Sequence, residues 1–191
     1  MFRVRSISNK ISKKFNDFHK AIRKQRGEIL RQKRGDFLEN LIVDCVNMFN
    51  ISGISAKRYD KLVLKSKNGY TKNHGTDVHI YKHDALIAAI ECKSYVDSCF
   101  YERTCSDMNI FKKCMNKNVT TVLVTLENGI KDETQKFLDD MYDKPIDHTF
   151  FLTSYKRKSS KPLWTRYRDT KTNKKLINDF AKNLEKIINS N

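Results

Sequence analysis

The sequence predicts an α/β fold, a mixed central sheet flanked by helices and preceded by a basic helical arm. Three observations carry this expectation. Stretches with apolar residues at helical spacing alternate along the chain with short stretches of strand character. The strand-like stretches VTTVLVTL and HTFFLTSY are rich in β-branched and aromatic residues, as buried strands are. From residue 36 the order is helix, three-stranded meander, helix, strand, helix, strand, which is how a sheet comes to be covered by its own connecting helices.

Each element has a local reason. Over residues 6–34, Ile7, Ile11, Phe15, Phe18, Ile22, Ile29 and Leu30 form an apolar stripe opposite a strongly basic face, an amphipathic arm or helix pair. Gly35 is expected to break it. Asp36, with Glu39 three residues on, resembles a capping box opening a helix that turns Leu38, Leu41, Ile42, Cys45 and Phe49 to the core. From about residue 54 the period becomes two, and SAKRYDKLVLKS followed by Asn68-Gly69 predicts a hairpin. Residues 77–81 and 85–93 give two further strands joined by the polar turn Lys82-His83-Asp84. Asp97 or Ser98 then caps a helix whose Phe100, Thr104, Met108, Phe111 and Met115 face one way. VTTVLVTL follows as a central strand, residues 131–142 as a short helix and HTFFLTSY as a strand. Residues 156–171, KRKSSKPLWTRYRDTK, read as an exposed loop, and Leu176, Ile177, Phe180, Leu184, Ile187 and Ile188 mark a closing helix. No repeat or Gly/Ser linker interrupts 36–191, so the expected organisation is a basic arm over 1–35 and one domain over 36–191.

Charge points to a polyanionic partner. The chain carries a net charge of +16, and residues 1–35 hold twelve Lys and Arg against Asp17 and Glu28 alone. Such an excess neutralises phosphates and releases their counterions, so nucleic acid is favoured over an anionic membrane surface. The plainer account, a solvated basic helix face, stays open. No run is long enough to span a bilayer, and the first residues lack the apolar core of a secretory signal. Five cysteines, odd in number and without a CxxC pair, suit a reduced cytoplasmic setting rather than a disulfide framework or a structural zinc.

The chemistry concentrates in residues 75–95, GTDVHIYKHDALIAAIECKSY. Side chains alternate across a strand, so Glu91 and Lys93 share a face while Cys92 takes the other. A hairpin centred on Asp84 sets Asp77 opposite Glu91, with Cβ atoms about 5 Å apart. Two carboxylates facing each other repel unless a cation stands between them or one takes up a proton. A hard divalent cation such as Mg²⁺, held by oxygen ligands, answers that problem. Lys93 beside it is placed to orient or deprotonate a water attacking phosphorus. The competing account is a cross-strand ion pair on a solvated face. An acid two residues before a lysine occurs at Glu91/Lys93 and Asp169/Lys171, and the former alone follows an apolar strand with an acid on its neighbour.

Asp77, followed after thirteen residues by Glu91-Cys92-Lys93 at the end of an apolar strand, resembles the motif of the PD-(D/E)xK nuclease superfamily, with Gly75-Thr76-Asp77 in place of the Pro-Asp dipeptide. The element order over about 36–126 is similar to that superfamily's αβββαβ core, the restriction-endonuclease-like arrangement. Within it the chain looks most like a type II restriction endonuclease, and YERTCSDMNIF with VTTVLVTLENG resembles a helix and strand found in some of those enzymes. The resemblance implies that Asp77, Glu91 and the Cys92 carbonyl bind Mg²⁺ and that Lys93 positions the nucleophilic water. It also implies 5′-phosphate and 3′-hydroxyl products, and it places Arg103 near DNA. Glu39 is either part of the capping box or an aid to the metal, and Asp97 either a helix cap or a ligand.

Arginine grips guanine bidentately and lysine mostly meets phosphate, so the loops 65–74 and 156–171 are the candidate DNA-contacting segments. The residues singled out there are Lys72, Asn73, Lys156, Arg157, Lys158, Arg166 and Arg168. Double-stranded DNA is the expected partner, and a homodimer is expected from the symmetry of duplex targets. Two alternatives remain at this point: a nuclease of other biology, such as a junction resolvase, repair or phage enzyme, and a basic DNA-binding module without catalysis.

Overall fold

The computed structural model describes residues 2–22, 27–115, 119–154 and 173–190. Its centre is a five-stranded mixed sheet in the order β1-β4-β5-β6-β7, built from Ile54–Arg58, Val78–Lys82, Ala85–Lys93, Thr120–Thr125 and His148–Phe151. β1, β4 and β5 run antiparallel, whereas β5, β6 and β7 run parallel. The switch has a simple origin. A two-residue turn joins β4 to β5, but β5 reaches β6 through a helix, and parallel neighbours need such a crossover.

Helices cover both faces. On one side lie α1 (Phe2–Ile22), α2 (Gly27–Phe49) and α5 (Lys174–Ser190), whose buried residues join Val78, Ile80, Ile90, Cys92, Val122 and Val124 in a single core. On the other side α3 (Ser98–Cys114) and α4 (Asp132–Met141) close over Leu123 with Tyr101, Cys105, Met108 and Leu138. Each fully buried Leu, Ile or Phe in these layers contributes about 1.5–3 kcal/mol. The α/β class and the flanked mixed sheet are thus as expected.

Several local expectations change. Gly35 does not end a helix: α2 runs through it, since a mid-helix glycine costs only about 1 kcal/mol. Asp36 and Glu39 consequently lie in mid-helix, where both accept hydrogen bonds from Arg58 instead of capping. The basic stripe of residues 2–22 is one helix with Val4, Ile7, Ile11 and Phe15 buried and Lys10, Lys13 and Lys14 outward. The stretch SAKRYDKLVLKS is two strands rather than one. Its first half is β1 of the central sheet, and its second half is β2 (Leu62–Lys65), which pairs with β3 (Thr71–His74) in a separate ribbon. Asn68-Gly69 lies in the loop of that ribbon, and Gly69 takes the left-handed φ of 84° that the turn requires. On α3 the inward residues are Tyr101, Thr104, Cys105, Met108 and Phe111, while Phe100 is partly exposed. Asp97 caps that helix by accepting from the Phe100 N–H at 3.0 Å. Among the described residues no helix is long and apolar enough to cross a membrane.

Candidate active site

The β4–β5 hairpin builds the site through two local devices. Its turn is His83-Asp84, both left-handed at φ 47° and 67°, a type I′ geometry that matches the twist of the flanking strands. That turn alone pairs Tyr81 with Leu86, a register that would set Asp77 against Ile90. A bulge intervenes. Ile80 pairs with Ala88, so Ile87 is an extra residue, and Ile87 and Ala88 both turn toward the α1/α2/α5 core. Beyond the bulge Val78 pairs with Ile90, and the next step along the ladder sets Asp77 across from Glu91.

The charged groups meet where β4 begins and β5 ends. Asp77 Oδ2 accepts from the Cys92 N–H at 2.8 Å, which fixes its carboxylate over the end of β5. The Lys93 ammonium donates to Glu91 Oε1 and lies 3.7 Å from Asp77 Oδ2. These are not surface groups: the side chains of Glu91, Asp77 and Lys93 are 18%, 23% and 28% exposed. Burial pushes the Glu91 carboxyl above its ordinary value; Lys93 pulls it down and Asp77 pushes it up again, and the net direction is upward. Burial by itself would lower Lys93, but Glu91 and Asp77 outweigh it and hold the ammonium above its usual range. A lysine so held suits orienting a water or a phosphate oxygen rather than removing a proton.

Two acids that meet at one ammonium offer hard oxygens of the kind that suits Mg²⁺. The Glu91 carboxyl is raised chiefly by burial, and the charge of Asp77 adds to that push. Among the described residues no cluster of three or more His, Cys, Asp or Glu side chains that could hold a metal ion is present. The Cys92 thiol itself is buried on the opposite face, within the core.

Glu39 approaches from α2. It is 6% exposed, and burial raises its carboxyl while the bonds from Tyr59 and Arg58 lower it and the charge of Asp77 raises it. Arg58 at the end of β1 holds it through Nε at 3.0 Å and Nη2 at 2.7 Å, and also reaches Asp36 and Asn40. Glu39 stood as an open choice in the sequence, and Arg58 carried no signal because its partners on α2 lie 18 to 22 positions away. Nor did anything announce the buried pair Arg34–Glu127, 2.6 Å apart and 93 positions separated, which ties α2 to the segment following β6.

Of the candidate DNA-contacting residues, Lys72 and Asn73 lie exposed on β3. Arg103 is an exposed position of α3, within 3.9 Å of Asp107, whose charge adds to the upward push on Glu91. Lys156, Arg157, Lys158, Arg166 and Arg168 fall outside the described residues.

No family model matches the chain, and no curated protein matches its sequence. Among solved structures the chain is similar to NucC of P. aeruginosa in its cAAA-bound form, at 13% identity and a TM-score of 0.46. That likeness covers 65% of this chain and spans 62% of the NucC chain. A second likeness is to the native BbvCI A2B2 tetramer, at 11% identity and a TM-score of 0.42, over 96% of this chain and 88% of that one.

Proposed function

We propose that the chain is a Mg²⁺-dependent nuclease that hydrolyses phosphodiester bonds in double-stranded DNA. One observation carries this: Asp77, Glu91 and Lys93 come from both strands of a bulged hairpin to a single, partly buried point. A solvated cross-strand ion pair, the rival account, needs neither the burial of Glu91 nor a second acid beside it.

Asp77, Glu91 and the Cys92 carbonyl would hold the ion, and when bound it supplies Lewis-acid stabilisation of charge on the phosphate oxygens. The Cys92 N–H keeps Asp77 aimed at the same point as Glu91, so the donor set is arranged before substrate arrives. Lys93 orients the attacking water toward phosphorus and offsets negative charge that builds on the phosphate. Hydrolysis in this sense leaves a 5′-phosphate and a 3′-hydroxyl. The net charge of +16 draws the polyanionic substrate.

Within that class the narrower reading is a type II restriction endonuclease that acts as a homodimer, because a twofold protein suits a twofold target. Digestion of a sequenced plasmid with Mg²⁺, with Ca²⁺ as control and mapping of the ends, tests both levels. Discrete bands are expected. A smear, or cutting confined to branched DNA, moves the chain to a repair, phage or junction-resolving nuclease, and no cutting at any divalent-ion concentration leaves a DNA-binding module.

A further inference from the structure

The β2–β3 ribbon stands beside the central sheet and leads straight into the site. Its register pairs Leu62 with His74, Val63 with Asn73, Leu64 with Lys72 and Lys65 with Thr71. One face packs inward. Leu64 is buried with Phe111 of α3, and the His74 ring lies 6.1 Å from that same phenylalanine. Alternation then turns Val63, Asn73, Lys65 and Thr71 to the other face.

That outer face is open. Val63 is 66% exposed, and Tyr70, at the end of the connecting loop, 78%. Between Asp60 and Asp77 the chain carries Lys61, Lys65, Lys67 and Lys72 and no acid. The ribbon therefore joins positive charge to a directly paired amide and branched aliphatic side chain. In the DNA major groove, which admits a two-stranded ribbon, an asparagine amide bonds adenine N6 and N7, and an apolar side chain meets the thymine methyl. The cross-strand pair Val63–Asn73 offers both contacts at once.

We propose that the outer face of this ribbon enters the major groove and selects an A·T base pair, with Asn73 on adenine, Val63 on the thymine methyl and Lys65 on the flanking phosphate. The proposal rests on the nuclease reading and adds the base that the enzyme prefers. Its position relative to the cut follows from chain length. Asn73 and Asp77 are four residues apart, at most about 14 Å of extended chain. At roughly 3.4 Å per base step, the selected pair lies within about four steps of the cut phosphate. The ribbon's neck is also tight: a Cβ on Gly75 would lie 2.8 Å from the Asp60 carbonyl oxygen, and the Tyr59 N–H donates to the Asp77 carbonyl at 3.2 Å. Reading face and carboxylate are thus held as one piece.

The test cuts duplex libraries with the full chain and Mg²⁺, using uracil for thymine to remove the methyl group and 7-deazaadenine for adenine to remove N7. Wild-type cut sites are expected to share an A·T pair within four steps of the cleaved bond. Deazaadenine there should lower cutting about tenfold or more, and uracil roughly three- to tenfold. Asn73→Ala is expected to lose the response to deazaadenine and keep that to uracil, and Val63→Ala the reverse. These ratios are insensitive to an overall loss of rate. Variants that keep both wild-type responses, or wild-type cut sites with no shared pair, overturn the ribbon proposal while the nuclease reading stands. If the wild type cuts nothing, that reading falls, and the same substituted duplexes in a fluorescence-anisotropy titration with Ca²⁺ decide the ribbon alone by the same crossed pattern.

Discussion

Replacing Lys93 with methionine removes the cation while keeping most of the side-chain volume, and the consequence should be visible in stability before any DNA is added. The ammonium lies 3.7 Å from Asp77 Oδ2 and donates to Glu91. A unit pair at that distance is worth about 4 kcal/mol at an effective dielectric of 20. Lys93 and Asp77 are 28% and 23% exposed, so water screens roughly half of it. Adding the lost Glu91 partner, the expected destabilisation in chelator is about 2–3 kcal/mol. For a chain of this size that is a fall in Tm of roughly 4–12 °C. Mg²⁺ should raise the melting temperature more in the variant than in the wild type, because two uncompensated carboxylates bind a cation more tightly. Cutting should fall about 10²- to 10⁴-fold. Thermal melts with EDTA and with Mg²⁺, paired with single-turnover cleavage, measure all three. An unchanged Tm in EDTA together with cutting within about threefold of wild type would refute the placement of Lys93 in the reaction.

Other consequences follow from the same geometry. The Glu91 carboxyl is raised by folding, so its contribution is greatest below its ordinary value of 4.5 and is lost as pH rises through the folded value. Glu91→Gln should therefore melt higher than wild type at pH 8 in EDTA, with cleavage abolished, and a lower melting temperature would contradict the sign. Asp147 behaves oppositely: burial pushes it up, but Lys112 and the Thr121 N–H and hydroxyl hold it below its ordinary value of 3.8. Its stabilisation is present above that value and lost as pH falls through the lowered one, so Asp147→Asn should weaken the fold at pH 7 and converge with wild type in acid, as read by urea titration. Gly75→Ala forces the ribbon neck away from Asp60 and should slow cutting about 10- to 100-fold with an unchanged circular-dichroism spectrum.

Much of this arrangement was legible because it is local. Asp77, Glu91 and Lys93 fall within one hairpin, where alternation and a turn are enough to say which side chains share a face. The pairing emerged from the sequence for a different reason than the real one. A hairpin centred on Asp84 and a two-residue turn followed by a bulge give the same partners, and nothing in ALIAAI distinguishes them. Gly35 misled because the penalty for glycine within a helix is small beside the packing of Leu38, Leu41 and Ile42. SAKRYDKLVLKS read as one strand because its alternation is continuous, while the change of partner after Arg58 is a tertiary event. The links from Arg58 to Glu39 and from Arg34 to Glu127 were beyond reach, since charges that pair across a core leave no spacing behind.

Ile87 carries a consequence for how such a chain can change. A two-residue turn pairs positions whose numbers sum to an odd value, whereas 77 and 91 sum to an even one, so their meeting depends on the parity set by a single supernumerary residue. Removal of Ile87 would leave Asp77 across from Glu91, because the shortened strand keeps the two-residue turn and the ladder simply becomes regular, whereas ironing out the bulge with Ile87 retained would set Asp77 against Ile90. Which side chain Asp77 faces is thus decided by one irregularity in an apolar strand, and not by the identity of any charged residue.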